Sequence, residues 1–149
     1  LFPITAFAQA YVQTWDLVDS GKHLDYDGNS TYMSYINTGA ATWNAYKSGV
    51  IRKDSAFVVE DVYVSDVNAS NGWAGMTYSS GKIELNTYYM SGYSNSKKQN
   101  VATHELGHAL GLDHSTSTDV MDAAITGHTS TQALSQNDKD SYDAAYNNY

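Results

Sequence analysis

The stretch HELGHALGLDH, His104 to His114, holds three of the five histidines in the chain. It constrains the fold more than any other feature, because it asks for a helix that stops abruptly. On a helix, residues four apart lie on one face about one turn above each other, so His104 and His108 can point at one ion. Glu105 projects beside that ion and can accept a proton from water held there. Two ligands leave a zinc ion under-coordinated. Gly111 offers a left-handed cap that ends the helix and turns the chain back, which brings His114 within reach as the third. Asp113 competes for that place, and the spacing favours His114. Three imidazoles with a fourth position open for water make a catalytic rather than a structural site.

With five histidines and eleven glycines in 149 residues, an accidental HExxHxxGxxH has a chance of roughly one in 10⁵. The bland alternative is surface histidines on an ordinary helix. A second alternative is a non-catalytic zinc-binding module, in which the tripod only pins helix to loop; Glu105 has no task there. A third is a zinc hydrolase of another bond, such as an ester or a carbohydrate amide.

The rest of the chain bounds these readings. Its length fits one domain over residues 1–149. Sixteen acids against eight bases leave little positive charge for nucleic acid or an anionic membrane surface. No apolar run approaches the roughly 18 residues of a membrane span. The absence of cysteine excludes disulfides and thiolate ligands. Abundant Tyr, Ser, Thr and Asn with little Lys give an extracellular style of surface, so a secreted monomer is expected. The opening LFPITAFAQA ends in Ala8-Gln9-Ala10, like a signal-peptidase site, but lacks a basic leader region. Residues 1–10 therefore read as a leader remnant or an N-terminal arm.

Lys22–Asp27 alternates like a short strand, and Ser30 is a candidate cap for the helix that follows. There Tyr32, Ile36, Ala40, Trp43 and Tyr46 form one apolar face that ends at Gly49. Residues 49–67 and 72–90 are rich in β-branched and aromatic residues broken by Asn-Gly and Ser-Gly, and read as several strands. Residues 91–100 read as loop. The motif helix follows, with Ser96 or Asn100 as cap, then a loop of about twenty residues. A last helix begins near Ser135, with Leu134, Tyr142, Ala145 and Tyr146 as its stripe. The order implies an α+β fold, a twisted mixed sheet covered by two long helices.

The motif HELGHALGLDHS resembles the extended zinc signature of the metzincin peptidases, and most closely that of their matrixin branch. STSTDVMD places Met121 where that family has its Met-turn, and GKIELN resembles the edge strand that receives substrate. The resemblance implies a metzincin-like domain with two long helices, a C-terminal helix and a zinc cleft between upper and lower parts. It implies a zinc-dependent endopeptidase with His104, His108 and His114 as ligands, Glu105 as general base and Met121 as a floor under the metal. A polypeptide substrate is expected to lie extended along a sheet edge near residues 81–86.

The chain departs from the family in three ways. Asp122-Ala123-Ala124 follows the Met-turn where proline is common. A cysteine-based latency switch cannot lie within the chain. Only His23 and His128 remain for a second zinc, so both are expected to be ordinary histidines. Asp66, Asn68 and Asn71 near Gly72 could coordinate calcium, though a polar turn is the favoured reading.

Overall fold

The computed structural model describes residues 10–149, so the reading of the apolar opening as leader remnant or arm lies outside the described residues. The strand expected at Lys22–Asp27 forms over Leu24–Gly28 (β1), with Leu24 and Tyr26 turned into the core. Helix α1 (Met33–Tyr46) buries Ile36, Ala40 and Trp43, the spacing of an amphipathic face. Ser30 is not its formal cap. The Ser30 hydroxyl accepts from Tyr32 N and donates to Asp66, which ties the entry of α1 to a neighbouring strand.

Four more strands, β2 (Ile51–Lys53), β3 (Val62–Val67), β4 (Gly75–Tyr78) and β5 (Lys82–Asn86), complete a sheet in the order β2-β1-β3-β5-β4. All are parallel except β4, which runs antiparallel to β5. This is the mixed sheet of an α+β fold.

One expectation is overturned. The GKIELN segment is not an edge strand, because β5 is paired on both sides, with β3 and with β4. The Ser79–Gly81 turn, with Gly81 at φ +91°, folds β4 back onto it, so among the described residues β4 is the sheet edge on this side. Alternation identifies a strand; it does not reveal which neighbours the strand acquires.

The helix boundaries also move. Helix α2 (Thr87–Met90) lies inside a stretch read as strand, and the Asn86 side chain caps it by accepting from Tyr88 N. Helix α3 (Asn95–Ala109) begins within the segment read as loop, capped by Ser94 rather than Ser96 or Asn100. Asn100 is buried, donating to Ser130 O and accepting from Gln132 N. The first two turns of α3 are polar, with a buried amide at Asn100 where an apolar stripe would reveal a helix. Helix α4 (Gln136–Tyr146) starts with a capping box between Ser135 and Asp138.

Helices α1 and α3 pack against each other, with Trp43 Nε1 donating to Thr103 O at 2.9 Å, and α3 also lies against β4. Strand residues Leu24, Val62, Ile83 and Leu85 share one core with Ile36, Trp43, Leu106 and Tyr142 of the helices. No helix among the described residues is long and apolar enough to cross a membrane.

Candidate functional site

Helix α3 ends where the sequence breaks it. Gly111, at φ +96°, donates to His108 O, and Leu112 N donates to Gly107 O, the paired bonds of a left-handed helix terminus. A side chain at Gly111 would be strained in that conformation. The returning chain is held by the N-terminal segment: Gln13 N donates to Gly111 O, and Asp113 N to Tyr11 O. Asp113 Oδ1 accepts from His114 N, so that carboxylate shapes the bend.

The bend brings three rings together. Nε2 of His108 lies 3.1 Å from Nε2 of His104 and 3.2 Å from Nε2 of His114. His104 Nδ1 is 2.8 Å from Val120 O, and His108 Nδ1 is 2.8 Å from Leu112 O. A carbonyl can only accept, so each Nδ1 carries the proton and each Nε2 presents a bare lone pair. Two lone pairs facing each other at 3.1 Å repel unless a cation sits between them. Nitrogen spacings of this size fit ligands arranged about one ion at roughly 2.0–2.1 Å. In the metal-free protein burial, with help from the neighbouring rings, pulls His104 down to about 3 and His108 to about 4. Both are therefore neutral at physiological pH.

Glu105, 5% exposed, lies against β4. Burial raises its carboxyl to about 7, against the pull of a hydrogen bond from Thr77. A cleft of about 550 Å³ opens over Glu105 and the three rings. Its walls include Gly75, Met76 and Thr77 of β4, and Ala123, Ile125 and Thr126 beyond Met121. Arrangements of this kind can hold a divalent cation beside a free carboxylate and admit an extended chain.

Met121 is fully buried against Gly107 of α3, which lies between His104 and His108 in sequence. Its loop is fastened from below by Asp138, whose carboxylate accepts from Val120 N at 2.9 Å and Met121 N at 3.2 Å. Val120 O in turn receives His104 Nδ1–H, so the α4 cap orients a ring of the tripod. Asp119, also buried, gathers Thr116 N and Thr116 Oγ1, and these bonds help hold its carboxyl down at about 2 against the opposing effect of burial. Sequence reasoning missed both aspartates. Asp138 stands three residues past Ser135, where the last helix is expected to begin, but nothing in the sequence shows its reach into another loop.

Gly107 is where α3 meets Met121. A Cβ there would run into Met121 Sδ and come within 2.9 Å of Trp43 Cζ2. Alanine gains about 1 kcal/mol of helix propensity over glycine, but overpacking a filled core costs about 1–3 kcal/mol or more. Two blocked neighbours put the loss at the upper end, so Gly107→Ala is expected to destabilise the protein by about 2 kcal/mol. Denaturant unfolding checks this, and a variant as stable as the wild type would refute the packing account.

The matrixin family model matches residues 6–147. The chain belongs to the matrixin family. Among solved structures, this matrixin resembles archaemetzincin from Methanopyrus kandleri, with TM-score 0.60 and 12% identity. That likeness covers 87% of this chain and 99% of the other, and at such identity it speaks for the metzincin-like fold. No curated protein matches the sequence. Family membership makes the chain a zinc metallopeptidase, a hydrolase, and zinc the metal expected at its histidine triad.

Where matrixins commonly have proline after the Met-turn, this one has Asp122. Its carboxylate accepts from Ala124 N and pairs with His128 Nε2 at 2.7 Å, bracing the loop that lines the cleft. His23 lies 3.9 Å from Asp19, away from the triad. The calcium reading of Asp66, Asn68 and Asn71 finds no support. Asp66 receives Ser30 Oγ and Thr31 N, while Asn71 Oδ1 receives Asn86 Nδ2 and Trp73 N. Those oxygens diverge to separate partners. A further cluster, Asp19, Asp25 and Asp61, is bridged internally: Arg52 binds Asp25 through two 2.8 Å bonds, and Asp61 accepts from Asp25 N.

Proposed function

We propose that this matrixin is an endopeptidase in which His104, His108 and His114 hold one zinc ion and Glu105 is the general base. The observation that carries the reading is the pair of Nδ1–H bonds to Val120 O and Leu112 O, which leaves bare Nε2 atoms facing one point. Zinc bound there acidifies water and polarises a peptide carbonyl. Glu105 is not among the converging nitrogens and remains free to take a proton from the attacking water, then to return it to the leaving amine. Its carboxyl, near 7 without metal, is drawn back toward the ionised form by a neighbouring cation. An extended polypeptide adds to the unpaired edge of β4 through main-chain hydrogen bonds, with Glu105 behind the same strand.

A non-catalytic zinc module is disfavoured by the open cleft and by a buried carboxylate that has no ionic partner among the described residues. The test is hydrolysis of casein and of a quenched peptide by zinc-loaded protein. A chelator is expected to abolish turnover and added zinc to restore it. Full zinc occupancy without peptide hydrolysis would sink the reading.

A further inference from the structure

Strand β4 touches Glu105 at two positions, and neither is accounted for by the roles given so far. Gly75 and Thr77 are two apart, so both face the same side of the sheet, toward α3. The Thr77 hydroxyl donates to Glu105 Oε2 at 2.7 Å, with Glu105 O as a second acceptor at 3.0 Å. Both residues are buried, Thr77 at 8% and Glu105 at 5% exposure. The other oxygen, Oε1, lies over Gly75, where a Cβ would come to 2.9 Å from it and 2.8 Å from Glu105 Cγ.

We propose that Thr77 is a positioning residue for the general base: its hydroxyl clamps Oε2 and leaves Oε1, over the bare backbone of Gly75, as the oxygen that carries the proton. The inference rests on the reading of Glu105 as the base. In the step it serves, the O–H bond of the attacking water breaks and an Oε1–H bond forms. That proton later passes to the leaving nitrogen as the peptide C–N bond breaks. The Thr77 proton never leaves Oγ1. While the carboxyl is ionised the hydroxyl points at Oε2. Once Oε1 carries the proton, Oε2 keeps its lone pairs and still accepts from the hydroxyl. One side chain thus holds the base in both of its protonation states.

The geometry has a consequence for substrate. The strand whose outer edge is free to pair with a peptide is the strand whose inner face holds the base, so the peptide and Oε1 share one rigid support. A shift of β4 moves both together, which preserves their relative position. A threonine that merely satisfied a buried group would have no such effect on the chemical step.

The test compares Thr77→Val, which keeps the shape and removes the hydroxyl, with Thr77→Ser, which keeps the hydroxyl. Thr77→Val is expected to lower kcat about 20-fold with KM within about twofold, the loss of one hydrogen bond to a charged group. Zinc content is expected to be unchanged, and Thr77→Ser to recover kcat to within about threefold of wild type. Crystal structures of the metal-free proteins supply a readout independent of turnover: in Thr77→Val the Glu105 carboxylate is expected to leave its place or split between conformers. If Thr77→Val folds poorly, Thr77→Ala replaces it as the variant without hydroxyl. A hydroxyl-free variant with wild-type kcat and an ordered Glu105 would overturn the proposal, as would a Thr77→Ser no better than Thr77→Ala. Wild-type protein that binds zinc but cleaves no peptide would instead overturn the reading of the site, and the carboxylate position would still report on Thr77.

Discussion

Glu105→Ala is expected to keep its zinc and lose about 10²- to 10⁴-fold in kcat/KM for peptide hydrolysis, the usual range for a general base. The converging atoms belong to His104, His108 and His114, and all three rings are oriented without Glu105. His104 is fixed through Val120 O, His108 through Leu112 O, and His114 by the bend at Gly111. Removing the carboxylate therefore leaves the nitrogen spacing intact. Thr77 loses its acceptor Oε2 but retains Glu105 O, so no buried donor is stranded. What disappears is the buried carboxylate that lines the cleft beside the rings; Asp113 lines it too, but its Oδ1 is taken by His114 N. Metal analysis and initial rates on a quenched peptide, measured on the same preparation, check both halves. A variant holding zinc and retaining more than about a tenth of wild-type turnover would remove Glu105 from the role. A variant that lost its zinc would instead make Glu105 part of the metal site.

The parts of this site that could be read from the sequence are the parts governed by local rules. Four residues make a helical turn, so the approach of His104 to His108 needs no tertiary knowledge. A glycine just past a helix makes a left-handed terminus, so the turn at Gly111 needs little more. What escaped depends on distant partners. Strands β4 and β5 lie in one stretch that reads as strands, and only the hairpin at Ser79–Gly81 decides which of them holds the edge. Asp138 lies in the first turn of α4 and closes its capping box, yet it also holds Val120 and Met121 of a distant loop. Ser94 was hidden as a cap because the turn it starts is wholly polar and the first side chain that α3 buries is the amide of Asn100. Gly75 and Thr77 carried no signal at all, since their importance lies in what α3 places above them.

Lowering the pH past about 4 is expected to empty the triad of zinc and to weaken the metal-free fold on the way. Burial keeps His104 at about 3 and His108 at about 4 in the folded, metal-free protein, against 6.5 for an ordinary histidine. The sign follows from which state binds more protons. Below 6.5 the unfolded chain protonates both histidines and the folded one neither, so stability is lost as pH falls from 6.5 toward 4 and 3. Glu105 acts the other way. Its folded value of about 7 exceeds the ordinary 4.5, so its contribution is fully present below 4.5 and is lost as pH rises through 7. Between 4.5 and 6.5 the unfolded state therefore holds two extra protons on the histidines and the folded state one on Glu105. The net of one proton makes the site's contribution fall by about 1.4 kcal/mol per pH unit. Below 4.5 the carboxyl is neutral in both states, the opposing effect vanishes, and the slope steepens until His108 begins to charge. Bound zinc competes with those same protons, so it protects the fold at neutral pH and leaves once the rings charge. Melting of chelated and zinc-loaded protein from neutral pH down to about 4, with metal analysis after dialysis at about pH 3, measures both effects. Zinc occupancy unchanged at that lower pH would be incompatible with three imidazole ligands. A metal-free melting temperature that rose steadily on acidification below 6.5 would mean that Glu105, not the histidines, dominates the site's response to pH.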